Sequence, residues 1–175
     1  MTDYFALLEV ARRPWLDPDK LKEKYFALAR ERPADAELNE AFRILGDPKL
    51  RLQHLLRLQG VDLNSGREIP AILAELFWQT GQLLREIDRW HLRNTQANSA
   101  LSRALLSGAR LQLKEKLRAL DTQLDAGYVM EIEQLQAIDG GDWPNNLTNL
   151  LELHDAFSYL KRLRDQVKEK QLLLA

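Results

Sequence analysis

From about Pro70 to Val167 the large apolar side chains recur at intervals of three and four, with very little to interrupt them. That spacing returns a side chain to the same face of a 3.6-residue helix, whereas a half-buried strand needs alternation in twos. Eight glycines and six prolines in 175 residues concentrate at a few places, so the periodic segments between them are long. The expected fold class is all-α.

Four shorter helical segments precede this region. "DYFALLEV" carries Tyr4, Leu7 and Leu8 at helical spacing. In "WLDPDKLKEKYFALARERP", Asp17 suits an N-cap, Pro18 suits the first helical position, and Leu21, Tyr25 and Leu28 form one stripe that Pro33 stops. "LNEAFRILG" places Leu38, Phe42 and Leu45 on one face and ends at Gly46, the expected C-terminal cap. "DPKLRLQHLLRLQG" begins at Pro48, buries Leu52, Leu55 and Leu56, and ends at Gly60. Turn-forming and polar residues then cluster in "VDLNSGRE", residues 61–68, which predicts a linker between a small domain, 1–62, and a second body, 69–175.

Three apolar stripes build that second body. The first includes Ile72, Leu73, Leu76, Phe77, Thr80, Leu83, Leu84 and Ile87. A second runs through Leu101, Leu105, Ala109, Leu113, Leu117, Leu120 and Leu124, with Gly127 expected to kink or interrupt it before Tyr128, Ile132 and Leu135. "DGGDWPNN" makes a turn, and the last stripe holds Leu150, Leu153, Phe157, Leu160, Leu163 and Val167. Long amphipathic helices with short connections bury such stripes against one another, so an antiparallel three-helix bundle is expected.

Several function classes are argued against. Formal net charge is -1, which supplies no overall basic field for nucleic acid or anionic lipid. Without cysteine there are no disulfides, thiolate metal sites or Cys nucleophiles. His54, His91 and His154 form no i,i+4 pair, and His54, flanked by leucines, reads as an ordinary half-buried helix histidine. No phosphate loop, nucleophile elbow or dinucleotide fingerprint is present, so neither an enzyme, nor a metal, nor a cofactor is expected. No stretch approaches the roughly 20 apolar residues of a membrane span, and a cytoplasmic protein is the plain reading.

The first sixty residues carry an ordered series: "DYFALLEV", "LDPDKLKEKYFALARER", then Asn39, Ala41, Phe42, Leu45, Asp47, Pro48, Arg51, Leu55, Leu56 and Gly60. Together they resemble a J domain of the HscB type, the iron–sulfur co-chaperone, whose members follow it with such a bundle. The resemblance implies a loop after the second helix that holds a His-Pro-Asp tripeptide and drives ATP hydrolysis by a DnaK-type chaperone. Here Pro33, Ala34 and Asp35 stand in that place, and only Asp35 matches. The short segment to Asn39 implies that the third helix loses its early turns. Stimulation of the chaperone ATPase is therefore expected to be weak or absent.

Two contact surfaces are also implied by the resemblance. A basic face on the second helix, supplied by Lys20, Lys24, Arg30 and Arg32, would meet the chaperone, although Glu23 and Glu31 interleave with it and a solvated mixed-charge surface is the alternative. An IscU-type scaffold would meet the first bundle helix at Leu73, Leu76, Phe77 and Trp78, which cover more than half the helix circumference and cannot all be core. Packing of Trp78 on the small domain is the bland alternative. The expected function is a co-chaperone-like adaptor for a protein partner; the competing one is a structural module that self-associates, as in a homodimer.

Overall fold

The computed structural model describes residues 2–63 and 71–175. Among them are seven α-helices, one 3-10 turn and no strand: α1 Tyr4–Leu7, α2 Pro18–Glu31, α3 Ala36–Gly46, α4 Pro48–Leu58, α5 Ala71–Thr95, α6 Ala100–Asp139 and α7 Leu147–Leu173, with the turn at Trp143–Asn145. The all-α class is as the apolar spacing requires. From position 64 on, the expected linker lies outside the described residues, as do the boundary at 69 and the side chain of Ile72.

Aspartates start the first four helices. Asp3, Asp17, Asp35 and Asp47 each accept backbone N–H groups of the following turn, and such a cap contributes about 1 kcal/mol. Pro18 and Pro48 occupy first-turn positions where no N–H is missed. Gly60 ends α4 at φ 75°, with Val61 N–H on the Leu56 carbonyl and Gly60 N–H on Arg57, the paired closure that favours a left-handed residue. Gly46 departs from expectation: it is the last helical residue of α3, its φ is not positive, and Asp47 ends α3 and starts α4.

The chain groups into two compact units, 1–68 with 130–157 and 69–129 with 158–175. In the first, Phe5, Leu8, Leu38, Ala41, Leu45, Leu52, Leu55 and Leu56 are all at most 1% exposed. Residues 130–157 belong to this unit through specific contacts. Asp139 forms an ion pair with Arg13 at 2.7 Å and accepts the Trp15 N–H at 3.2 Å.

In the second unit, Leu73, Leu83 and Ile87 of α5, Leu113, Leu117, Leu120 and Leu124 of α6, and Leu160, Leu163 and Val167 of α7 are buried. Trp90 meets Leu106 while the earlier Glu86 meets the later Lys116, and Arg110 meets Ala175 while the later Asp125 meets the earlier Arg164, so α6 runs antiparallel to both its neighbours. This is the expected three-helix packing. α6 passes through Gly127 without a break, contrary to the expected interruption. A Cβ there would lie 3.5 Å from Leu160 Cδ2 and 3.6 Å from Leu76 Cδ1, so glycine sits where the three helices approach. Leu101 and Leu105 also depart from expectation, being 72% and 69% exposed.

Candidate functional site

The connection between α2 and α3 is a short joint. Arg32 caps α2, Pro33 and Ala34 are exposed, and Asp35 already caps α3. The Asp35 carboxylate accepts the N–H groups of Glu37 at 2.9 Å and Leu38 at 3.0 Å. Its chemistry is therefore engaged within the fold. Ala34 has φ 62°, a left-handed conformation that a Cβ disfavours by about 1–2 kcal/mol. α2 and α3 are joined across this turn by Tyr25, whose hydroxyl donates to Asn39 Oδ1 at 2.6 Å and whose ring stacks on Phe42 at 4.2 Å.

The four basic residues singled out on α2 and at its end are all exposed. Lys24 reaches Glu9 at 3.2 Å. At about 100° per residue, Lys20 and Lys24 share a face, whereas Arg30 lies about 120° from Lys24. They do not form one compact cationic stripe. Phe26, which the sequence reading did not single out, stands 50% exposed on the same helix.

On α5 the implied scaffold-facing residues separate by burial. Leu73 is core at 2% exposure, Leu76 is half-buried toward Gly127, and Phe77 and Trp78 are 44% and 58% exposed. Two adjacent aromatics on an otherwise polar face, beside Gln79 hydrogen-bonded to Glu75 at 2.7 Å, make a small apolar island.

The histidine expected to be a half-buried helix residue is a buried hydrogen-bond acceptor. His54 Nε2 accepts the Tyr4 N–H, the first of α1, at 3.1 Å, and its ring stacks on Phe5 at 5.7 Å. Burial pushes its pKa below the ordinary 6.5; nearby Asp3 opposes this, and Arg57 and Arg12 add to it. The folded state thus prefers the neutral ring, which alone offers Nε2 as acceptor. This contribution to stability is full above about pH 6.5, where the unfolded chain is also neutral, and is lost as pH falls through the folded pKa. We expect His54→Gln to flatten the decline in urea midpoint between pH 7.5 and 5.5; an unchanged slope would assign the decline to other groups. Asp3 shows the opposite balance: burial raises its pKa, but the Arg12 guanidinium and the N–H groups of Ala6 and Phe5 outweigh it and hold the carboxyl low. Glu131, buried in the first unit, is pushed up by burial.

Two structural roles were not visible in the motif series. Arg51 is 2% exposed; its Nε donates to the Pro14 carbonyl at 2.7 Å and its Nη1 to the Leu45 carbonyl at 2.6 Å, with Trp15 against the guanidinium at 5.7 Å. Asp139 lies 126 residues from its partner Arg13, so no local pattern could have linked them. No cluster of three or more His, Cys, Asp or Glu suited to a metal occurs among the described residues. Nor is any described helix long and apolar enough to cross a membrane.

No protein-family model matches the chain. Among characterised relatives it is 30% identical over 105 residues to the protein named co-chaperone protein HscB homolog of Burkholderia vietnamiensis, covering 58% of each chain. It is 29% identical over 139 residues to the protein of that name from Bordetella pertussis, covering 67% of this chain and 78% of the relative. The chain thus spans less than two thirds of the Burkholderia relative's length. In fold it is similar to the chaperone HscB from Vibrio cholerae, with a TM-score of 0.61 at 19% identity over 99% of this chain and 100% of that one. In sequence the chain is thus similar to proteins named HscB co-chaperone homologs, and its fold is similar to that of an HscB chaperone.

Proposed function

We propose that the protein is a co-chaperone-like adaptor that binds a protein partner through the bundle face at Phe77 and Trp78, and that it lacks normal stimulation of a DnaK-type ATPase. An iron–sulfur scaffold of the IscU type is the partner this reading names. The domain division that goes with it is 1–62 for the J-like part and 69–175 for the partner-binding part. What carries the second half of the proposal is the engagement of Asp35 as the α3 cap beside a left-handed Ala34. No residue of the loop then offers the imidazole of the implied tripeptide. Supporting the first half, the exposed aromatics provide the large rigid groups that dominate interface energetics. Any remaining chaperone contact falls to Lys20, Lys24, Arg30 and Arg32, which would steer encounter by charge.

The test is titration of a purified IscU-type scaffold into the full chain and into a Phe77→Asp, Trp78→Ser variant. Loss of two aromatic anchors is expected to weaken binding by about 10-fold or more. Equal binding by both proteins would move the site elsewhere. A concentration-dependent dimer that the same substitutions dissolve would favour the self-association reading.

A further inference from the structure

The second unit carries a groove that the adaptor reading does not use. It lies between α5 and α6 and encloses about 270 Å³. Trp90, Leu106 and Leu113 give it an apolar lining, and the Trp90 indole is fixed there by its N–H donating to the Leu106 carbonyl at 2.9 Å. Arg89 and Arg93 line it from α5 and Lys116 from α6. Leu101 and Leu105, both largely exposed, fall at helical spacing from Ala109 and Gln112 of the lining, so the apolar strip continues toward the start of α6. From Leu101 to Lys116 the strip is about 22 Å long.

Charge is distributed unevenly along the sequence. Arg85 to Arg118 holds eight Lys and Arg against three Asp and Glu, whereas Ala119 to Leu160 holds eight Asp and Glu and no Lys or Arg. Neither Arg89 nor Arg93 has a carboxylate partner among the described residues; within the groove, Glu86 is joined to Lys116 at 2.8 Å. Two exposed guanidinium groups therefore border an apolar floor without acidic counterparts. We propose that this groove docks an acidic amphipathic helix of a partner protein, its leucine-like side chains on Trp90, Leu106 and Leu113 and its carboxylates on Arg89 and Arg93. An amphipathic helix lays the apolar face formed by its i, i+3, i+4 and i+7 anchors into such a groove, and a bidentate guanidinium suits a carboxylate. A flat lipid surface fits less well, because Trp90 is recessed at 7% exposure.

The experiment uses a fluorescein-labelled sixteen-residue peptide of leucines at i, i+3, i+4 and i+7 with glutamates elsewhere, titrated with the full chain by anisotropy at low and high salt. Its lysine counterpart is the control. Binding of the acidic peptide, weakened by salt and weakened about 10-fold by Arg89→Glu with Arg93→Glu, is expected. Leu105→Ser tests the apolar strip independently, and circular dichroism checks that each variant is folded. Equal binding of the lysine peptide, or no effect of the arginine changes in folded protein, would overturn the proposal. So would arginine-dependent binding to phosphatidylglycerol vesicles without peptide binding, or a mass that grows with concentration only when Arg89 and Arg93 are present.

Discussion

Replacing Arg51 by alanine is expected to lower stability by about 3–5 kcal/mol, because it removes two buried hydrogen bonds and leaves a void at once. The Pro14 and Leu45 carbonyls that Arg51 serves lie in two separate places, the stretch before α2 and the last turn of α3. A buried carbonyl left without a donor loses about 1–3 kcal/mol. The two carbonyls and the missing packing against Trp15 together reach the expected range. Arg51→Lys keeps the charge but not the planar fork, so it can serve one carbonyl and should recover only part of the loss. Urea unfolding followed by far-UV circular dichroism measures both. A loss under about 1 kcal/mol for the alanine variant would mean that water replaces the guanidinium.

Writing His-Pro-Asp back into the loop, as Pro33→His with Ala34→Pro, is expected neither to restore stimulation of a DnaK-type ATPase nor to leave the fold unharmed. Proline fixes φ near −65°, whereas position 34 sits at 62°. The loop must rearrange to accept it, which loses more than about 1 kcal/mol. Rearrangement also disturbs Asp35, whose carboxylate holds the first N–H groups of α3. By the same backbone argument, Ala34→Gly should raise stability by about 0.5–1 kcal/mol. ATP turnover of the chaperone with the repaired variant, alongside thermal melts of all three proteins, decides the matter. Severalfold stimulation by the repaired variant would show that the loop is plastic and that its composition alone limits activity.

Local rules made much of this protein readable in advance. Asp17, Pro18 and Pro48 mark helix starts because capping and the missing proline N–H depend only on neighbouring residues. The stripe from Leu113 to Leu124 is core for the same reason, since its spacing alone places those side chains on one face. Resemblance supplied the order of the J-like helices and pointed to Pro33, Ala34 and Asp35.

What lay beyond reach depended on distant segments. Leu101 and Leu105 share the spacing of Leu113, yet they stay in water. Their exposure depends on what packs against the first turns of α6, which their own spacing does not tell. Gly127 reads as a helix breaker, but it lies inside α6 because Leu76 and Leu160 close on it. Leu73 and Trp78 look equivalent in the sequence and differ from 2% to 58% in exposure, because only one faces the neighbouring helices. The sequence alone determined which segments are helical and where α2 and α4 begin, since period and capping are properties of adjacent residues. Which apolar groups remain available for a partner, and what Arg51 and Asp139 hold, was decided by tertiary packing, because burial belongs to pairs of elements that no local pattern names.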